Sequence, residues 1–282
     1  PDPIQAFQAQ RPRLLRLAYR MLGSHAEAED LLQEAWLRWQ GLDHGQIIEP
    51  AAWLTRTVSR LCLDQMKSAR ARRETYPGTW LPEPLIEEED DALRPDNLTL
   101  SLMVALERLS PLERAAFLLH DIFGQTMEEV AQIIDRAPAA TRQLAARARA
   151  HVQIDRPRYT VPREVGATLA RAFFDACKTG DTAMLATMLA EGATLHADGG
   201  GKVQSVLNVI DGVAPILRMF AALSRKFGEE MELLSTTTID GLPGFVCIIA
   251  GTPQTTALEV EDGRITRIFI TRNPDKLTGL LH

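Results

Sequence analysis

The stretch RLLRLAYRMLGSHAEAEDLLQEAWLRW, residues 13–39, carries the spacing and the boundary signals of two consecutive helices. Apolar residues recur at three- and four-residue intervals up to Gly23, where the glycine ends the first run. Ser24, followed three residues later by Glu27, forms a capping box that begins a second run reaching Trp39. A helical domain is therefore predicted at the start of the chain.

A third helical pattern and then a break follow this pair. Trp53 to about Arg73 presents an apolar stripe at helical spacing, so one long helix is predicted there. The next segment, YPGTWLPEPLIEEEDD at residues 76–91, contains three prolines and one glycine, which exclude a continuous helix, and it ends in five acids. We predict an extended linker here.

Two strong start signals define a second helical region. Ser110–Glu113 combines an N-cap serine, a proline at the first helical position and a glutamate at the third, and Thr126 with Glu129 repeats the capping box. After a short break, a last helix runs from Pro138 toward Val152. Two short helices joined by a tight turn predict a helix-turn-helix unit.

The pattern changes after RPRYTVP, residues 156–162, which is predicted to be a second linker. Amphipathic helices come first, together with a glycine-rich turn, DGGGK, at residues 198–202. Four alternating, β-branched segments bounded by turns then predict an antiparallel sheet. These segments are Met231–Asp240, Phe245–Ala250, Thr255–Val260 and Ile265–Thr271. The expected fold class is multidomain, with two all-α domains followed by an α+β domain built on a curved sheet.

The composition excludes several classes of protein. With 282 residues, of which 45% are hydrophobic, the chain can build two or three cores and is not disordered throughout. Its three cysteines lie far apart and are expected to be reduced thiols, in neither a disulfide nor a metal site. A signal peptide and an apolar run of about 18 residues are both missing, so we expect a cytoplasmic protein that makes no contact with a membrane.

The charges are distributed unevenly along a chain of net charge −6. Residues 56–73 contain six bases against one acid, and residues 136–158 again contain six bases against one acid. Residues 83–96 have seven acids against one arginine. Two basic helical faces on an acidic protein favour contact with a polyanion through those faces alone. Ordinary solvated helix surfaces are the alternative.

The second basic face lies on the last helix of the helix-turn-helix unit. Arg142 and Gln143 occupy its first turns, from which a recognition helix contacts base edges, and Arg147 follows about one turn later. Arginine and glutamine make bidentate contacts to guanine and adenine respectively. An alanine-rich segment that simply forms a good helix is the alternative interpretation.

These segments resemble a known family. Residues 11–73, with the words quoted first and WLTRTVSRLCLDQMKSARARRE, resemble region two of bacterial sigma factors of the extracytoplasmic-function form (group IV). Residues 101–152, which contain LSPLERAAFLLHDIFGQTMEEVAQII followed by RQLAARARAHV, resemble region four. WLPEPL, DGGGK and NPDKL (residues 273–277) are similar to the subfamily with a fused, cone-shaped SnoaL-like domain of the nuclear transport factor 2-like fold.

The resemblance implies a division of the chain into functional parts. Residues 1–75 would be sigma region two, which binds core polymerase and the −10 element, and residues 76–97 a linker containing WLPEPL and the acid run. Residues 98–155 would be the region-four helix-turn-helix and residues 156–163 a second linker. Residues 164–282 would be the regulatory SnoaL-like domain.

The resemblance also implies site residues. The core polymerase contact would use Asp30, Leu31, Gln33 and Glu34. The −10 element would be held by Trp53, Arg56, Arg60, Lys67 and Arg70, and the −35 element by Arg142, Gln143 and Arg147. Leu31 could equally be part of the domain's own core, and a core role is also open for Trp53, whose alternative is a platform for a splayed base.

An interdomain regulatory contact is expected between the first linker and the glycine-rich turn. Its residues would be Trp80, Leu81, Pro82, Glu83, Pro84, Leu85, Asp198, Gly199, Gly200, Gly201 and Lys202, with Lys202 reaching an acid such as Glu83. Exposed apolar side chains are unfavourable without a partner surface, which favours docking over a stiff spacer. The acid run would imitate nucleic acid in the polymerase cleft.

The sequence thus predicts a sigma factor that directs core RNA polymerase to promoter DNA and assists strand opening, with its activity modulated in cis by the C-terminal domain. No anti-sigma factor is expected to be obligatory. No catalytic residue, cofactor or metal is expected, although a small-molecule ligand in the C-terminal cone stays open. His196 and Asp198, two residues apart, are a weak acid–base candidate. A metabolite-sensing helix-turn-helix regulator is the alternative function.

Overall fold

The computed structural model describes residues 2–87, 98–152 and 161–280, apart from the side chains of residues 69–72, 74 and 280. The chain divides into two compact units, Pro1–Thr75 with Ala105–Asp155 and Tyr76–Val104 with Arg156–His282. In these described ranges, none of the helices combines the length and the apolar character that a bilayer crossing demands.

The first unit begins with three helices packed around one apolar core. They are α1 (Pro3–Leu22), α2 (His25–Gln40) and α3 (Pro50–Glu74). Gly23 ends α1 in the left-handed conformation at φ 72°, and the Ser24 hydroxyl accepts a hydrogen bond from the Glu27 N–H at the start of α2. Leu14, Leu17, Met21, Leu22, Leu32, Trp39, Leu54 and Val58 are almost fully buried. The helices predicted here are therefore observed.

The remaining helices of the helical region are shorter. They are α4 (Leu100–Leu106), α5 (Pro111–Phe117), a π-helical turn (Leu118–Ile122), α6 (Met127–Ile134) and α7 (Pro138–Val152). The capping boxes predicted at Ser110 with Glu113 and at Thr126 with Glu129 are both present. Asp135 ends α6 at φ 54°, a left-handed conformation that aspartate tolerates, and so reverses the chain into α7. The predicted helix-turn-helix unit is formed by α6 and α7.

In the C-terminal domain, three α-helices of the described residues 161–280 pack on a six-stranded sheet. The helices are α8 (Arg163–Thr179), α9 (Thr182–Met188) and α10 (Val213–Phe227). The strands are β1 (Leu189–Asp198), β2 (Ile210–Asp211), β3 (Met231–Ile239), β4 (Leu242–Ile249), β5 (Thr252–Glu261) and β6 (Arg264–Thr271). Their order across the sheet is β2-β1-β6-β5-β4-β3. The centre of the Phe173 ring on α8 lies 5.5 Å from that of Phe220 on α10 and 6.4 Å from that of Phe245 on β4, so aromatic side chains pack together in the core.

The sheet is mixed: the four predicted strands, β3 to β6, pair antiparallel, and β1, which was not among them, adds one parallel pairing. Strand β1 runs parallel to β6, with Leu195 opposite Ile268 and Ala197 opposite Ile270. A parallel pair needs a long crossover, which here contains α10 and the hairpins β3–β4–β5. The pairing was hidden in the sequence because β1 follows α9 without a turn signal and contains Gly192 and three alanines, which are poor strand formers.

Candidate nucleic-acid interface and linker anchor

Helix α7 presents a polar face opposite a narrow buried one. Thr141, Ala145, Ala148 and Val152 are buried at three- and four-residue spacing, which leaves Arg142, Gln143 and Arg147 exposed. The Arg142 Nη2 atom lies 2.9 Å from Glu128 Oε1 at the start of α6. Because both side chains are more than half exposed, this ion pair contributes at most about 1 kcal/mol. Its arginine can therefore exchange the carboxylate for a phosphate or a base edge.

Helix α3 carries the other predicted nucleic-acid residues. Arg56, Arg60 and Lys67 are exposed, whereas the side chain of Arg70 lies outside the described residues. The Trp53 ring is partly buried and lies 5.4 Å from the ring of Trp39. Trp53 thus packs against the core residue Trp39, and a minor part of its surface stays exposed to solvent.

Two of these arginines contact the end of α6 within the same unit. Arg56 Nη2 donates to Gln132 Oε1 at 2.8 Å, and Arg60 Nη2 donates to the Gln132 carbonyl at 3.0 Å. Arg60 Nε donates to the Ile133 carbonyl at 3.4 Å. The last carbonyls of a helix lack partners within the helix and carry partial negative charge, so an arginine stabilises them. In this conformation part of the basic face of α3 is occupied by α6.

Helix α2 exposes a polar stripe with one apolar residue. Asp30, Gln33 and Glu34 are exposed, while Leu31 is only 7% exposed and belongs to the core. Leu37 is 67% exposed and completes the stripe, because positions 30, 33, 34 and 37 share one helix face. Its i+7 spacing from Asp30 was the signal that could have identified it. An exposed leucine among acids suits an amphipathic partner surface.

The first linker is fixed to the C-terminal domain at Asp198, the last residue of β1. This carboxylate is fully buried and accepts four hydrogen bonds. The donors are Tyr76 Oη at 2.6 Å, Leu81 N at 2.9 Å, Gly200 N at 3.0 Å and Lys276 Nζ at 2.7 Å. Loss of water and then the bond to Asp198 raise the pKa of Tyr76, so its hydroxyl stays a donor at neutral pH.

Lys276 links this carboxylate to the linker in two further ways. Its Nζ atom donates to the Leu81 carbonyl and lies 4.1 Å above the centre of the Trp80 ring, in cation–π geometry. The lysine lies on a 3-10 turn, Pro274–Lys276, and its side chain is only 11% exposed. Asn273, just before the turn, donates to Tyr76 Oη at 2.8 Å. One buried ion pair thus holds both aromatic residues of the linker.

A second anchor lies farther along the linker. Asp240 is fully buried, and its Oδ2 accepts from Leu85 N at 2.9 Å. Glu87 is 4% exposed, and its Oε1 accepts from Gly241 N at 2.5 Å. The first acid of the run therefore caps the β3–β4 turn and is not solvated in this conformation, whereas residues 88–91 of the expected polyanion mimic lie outside the described ones.

Apolar contacts complete the docking of the linker. Leu81 is fully buried in a cluster with Leu100, Ile239, Leu242 and Phe269. Burying a leucine side chain contributes about 1.5–3 kcal/mol. Pro82 and Pro84 are also buried, whereas Trp80, Glu83 and Leu85 are partly buried. The prolines hold the segment extended, so that the N–H of Leu81 reaches Asp198 and the N–H of Leu85 reaches Asp240.

Comparison with known proteins identifies the family. Family models described as Sigma-70 region 2 and Sigma-70, region 4 match residues 6–72 and 99–152. The ECF RNA polymerase sigma factor SigJ of Mycobacterium tuberculosis is 36% identical, over 98% of this chain and 93% of that protein. The chain belongs to the ECF RNA polymerase sigma factor family. A probable ECF sigma factor, SigI of the same species, is 32% identical over 99% of this chain and 96% of its own.

The crystal structure of M. tuberculosis SigJ has the same architecture as this ECF sigma factor. It superposes with a TM-score of 0.78 at 33% identity and covers 98% of both chains. Helical sigma regions followed by a C-terminal mixed-sheet domain are therefore shared. The metabolite-sensing helix-turn-helix regulator is not favoured, because the similarity includes both sigma regions and extends over almost the whole chain.

The glycine-rich turn of this ECF sigma factor lies under the linker. Gly201 has φ 69°, and a Cβ there would lie 2.6 Å from Cγ of Pro77, so only glycine allows the linker to approach so closely. A Cβ on Gly200 would lie 2.5 Å from Cγ of Asn273. Lys202, expected to reach the linker, is exposed and pairs with Asp275 at 2.5 Å. The lysine that reaches the linker is Lys276.

His196 and Asp198, the acid–base candidate of the C-terminal domain, make other contacts in the structure. His196 Nε2 lies 3.1 Å from Thr194 Oγ1, and its ring stacks on Phe269 at 5.3 Å between ring centres. Both carboxylate oxygens of Asp198 already accept hydrogen bonds, two from the linker and two from the C-terminal domain. Sequence reasoning missed Tyr76, Asp240 and Glu87 as anchor residues. Their only signal was position, because each flanks a quoted motif or a turn.

Proposed function

We propose that this protein is a sigma factor that binds core RNA polymerase, directs it to promoter DNA and assists strand opening in the cytoplasm. The observation that carries the proposal is the match to both sigma regions within a similarity that covers 98% of the chain. Polymerase supplies the bond-forming chemistry, so we assign no catalytic residue to this chain. We also propose that its C-terminal domain modulates it in cis.

Helix α7 is proposed to read the −35 element as duplex in the major groove. Arg142, Gln143 and Arg147 are exposed on one side of a helix whose other side is buried, which is the geometry of a recognition helix. The exposed ion pair with Glu128 orients the Arg142 guanidinium, and breaking it to bind DNA would cost little free energy.

Helix α3 is proposed to hold the −10 element after its bases unstack. Arg56, Arg60 and Lys67 would follow the phosphates, and the open part of the Trp53 ring would stack on a base. Since Arg56 and Arg60 here bond the end of α6, DNA must compete for them, and binding at α3 requires that this contact open. We propose that docking on polymerase provides the free energy for that opening.

The stripe of Asp30, Gln33, Glu34 and Leu37 is proposed as the contact with core polymerase. Leu31, which the resemblance also implied, supports this surface from beneath, because it is buried. The exposed leucine would supply apolar area and the acids would select a basic partner surface.

The linker anchors are proposed as the regulatory contact. While Asp198 and Lys276 hold residues 76–87 against the C-terminal domain, the reach of the chain between the DNA-reading helices is restricted. A clamp carried in the same chain can replace a separate inhibitor, so we propose that no anti-sigma factor is obligatory.

Run-off transcription tests the primary function. Core polymerase with the purified chain is expected to initiate on a genomic fragment library at positions that share upstream sequence, mapped by sequencing transcript 5′ ends. Arg142→Gln combined with Arg147→Gln is expected to lower initiation at least about tenfold, because a bidentate base contact contributes about 1–3 kcal/mol. Arg171→Gln, an exposed arginine on α8, is the matched control. An absence of initiation on every fragment refutes the proposal.

The regulatory part has its own test. Lys276→Ala and Trp80→Ala are expected to change transcript yield on a mapped promoter, since both remove linker contacts. Lys202→Ala should leave it unchanged, because that lysine pairs with Asp275 in solvent. Regulation in cis is excluded if yield stays constant while hydrogen exchange shows a released linker.

A further inference from the structure

The C-terminal domain holds a cavity that none of the functions above uses. Its volume is about 260 Å³, and it lies between α10 and residues of β1, β5 and β6. Hydrocarbon side chains form most of its wall, among them Leu195, Met219, Leu223, Phe227 and Ile270. An engineered protein cavity of about 150 Å³ binds benzene. The space here therefore suits a substituted aromatic ring or an alkyl chain of medium length.

Two buried polar atoms interrupt this apolar wall. Arg272 and Ser205 both line the cavity, and neither Arg272 Nε nor Ser205 Oγ has a hydrogen-bond partner among the residues that the structure describes. Arg272 Nη1 donates to the carbonyl of Gln204 at 3.0 Å, which fixes the guanidinium in place. A buried donor without a partner costs about 1–3 kcal/mol. Because both atoms are fully buried, Arg272 and Ser205 must turn toward the cavity to bond an acceptor from a ligand, and that bond would remove the cost.

The charge of the wall is positive. Arg272 lies in it and the exposed Lys226 at its edge, and none of the described lining residues is an acid. Loss of water lowers the pKa of Arg272, which indicates that its guanidinium is poorly solvated. A partly buried cation in a wall whose described residues include no acid favours an anionic ligand.

We propose that this cavity binds a small amphipathic carboxylate. Its carboxylate would accept from the edge of Arg272 that carries Nε and from the Ser205 hydroxyl, and its hydrocarbon body would lie along Met219 and Leu223. A guanidinium donates two parallel N–H bonds to a carboxylate. A phosphate dianion fits less well, because its second charge would face an apolar wall.

The cavity shares its backbone with the first linker anchor. Arg272 N and Asn273 N donate to the Asp198 carbonyl at 2.7 and 3.0 Å, and Ala197 of the cavity wall directly precedes Asp198. A ligand on Arg272 is therefore expected to order the segment that holds the linker. This consequence rests on the proposed regulation in cis, whereas ligand binding itself does not.

Isothermal titration of the full chain tests the binding site. Sodium octanoate is expected to bind saturably, and 1-octanol and octylamine at least about tenfold more weakly, because only the carboxylate satisfies Arg272. Arg272→Gln should weaken octanoate at least about tenfold and Ser205→Ala about fivefold. Arg225→Gln, an exposed arginine on α10 that does not line the cavity, is the matched control.

A second variant separates loss of the site from loss of the fold. Ala222 lines the cavity from an exposed position on α10, so Ala222→Phe should fill the space, abolish octanoate binding and leave thermal unfolding nearly unchanged. The proposal is overturned if octanoate does not bind, if 1-octanol binds equally well, or if Arg272→Gln or Ala222→Phe binds like the unmodified chain.

Hydrogen exchange tests the coupling to the linker. Saturating octanoate should slow exchange in peptides from residues 76–87, and should do nothing in Arg272→Gln. Binding without that protection refutes the coupling and leaves the ligand site intact. Because neither assay contains polymerase, failure here is distinct from failure of the transcription test.

Discussion

Replacing Asp198 with asparagine should release the linker from the C-terminal domain. The carboxylate is fully buried, and each of its oxygens accepts two hydrogen bonds, Oδ1 from Tyr76 and Gly200 and Oδ2 from Leu81 and Lys276. Asparagine keeps one oxygen and places an NH₂ group at the other position. Two of the four donors then face a donor, and Lys276 loses its buried counterion.

The magnitude follows from those lost contacts. A hydrogen bond to a charged group contributes about 1.5–3 kcal/mol, and removing one partner of a buried ion pair costs about 3–5 kcal/mol. Both estimates describe the same interaction, so they are not added. We expect the docked linker to lose about 3–5 kcal/mol, which is roughly a 150- to 5,000-fold change in the ratio of docked to released forms.

Hydrogen exchange in the full chain measures this change directly. Amides of residues 76–87, including those of Leu81 and Leu85, should lose protection in Asp198→Asn while amides of α1 to α3 keep theirs. Asp275→Asn is the control, because its ion pair with Lys202 is more than half exposed and contributes at most about 1 kcal/mol. Equal protection of residues 76–87 in Asp198→Asn and the unmodified chain would refute the reasoning.

Three other outcomes are expected. Gly201→Ala should lower the free energy of unfolding of the C-terminal domain in urea by about 1–3 kcal/mol more than Gly263→Ala does. Both glycines have positive φ, but only Gly201 contacts the linker. Equal losses of stability in the two variants would contradict that contact. Thr126→Ala should lower the stability of the helical domain by about 1 kcal/mol, measured by thermal unfolding, because it removes the N-cap hydroxyl of the capping box. Thr187→Ala is the control and should show no comparable loss, because that hydroxyl bonds within its own helix. Burial raises the pKa of Cys247 to about 12, so this thiol should resist alkylation by iodoacetamide in the native chain at pH 8. The chain should also lose stability as pH rises above about 8.5, because the thiol then ionises in the unfolded state but not in the folded state. Rapid labelling of Cys247 in the native chain would contradict its burial.

Local signals were sufficient for the helices. Ser110 with Glu113 and Thr126 with Glu129 are decided by residues three apart, and the structure contains both boxes. Strand β1 was not predictable in the same way, because its stability comes from pairing with β6, far away in the chain, while its own sequence has weak strand propensity. Only the register of that parallel pair brings Asp198 beside the turn before Lys276.

The candidate site residues likewise fall into those that local sequence predicts and those that depend on tertiary packing. Exposure of Arg142, Gln143 and Arg147 follows from helical periodicity alone, so their placement on one surface needed no tertiary information. The choice between Lys202 and Lys276 as the residue that reaches the linker did need it, since both lie next to chain-reversing segments. The contact of Arg60 with the end of α6 was equally invisible, because it depends on how two helices pack.

The distance along the chain between the linker and its anchor has a consequence for synthesis. Residues 76–87 are synthesised roughly 190 residues before Lys276, which is about 10–40 s earlier at about 5–20 residues per second. During that interval the helical regions are already translated while the clamp is incomplete. Every newly made molecule therefore passes through a phase in which the linker cannot bind Lys276, and a product truncated before Lys276 would stay in that phase.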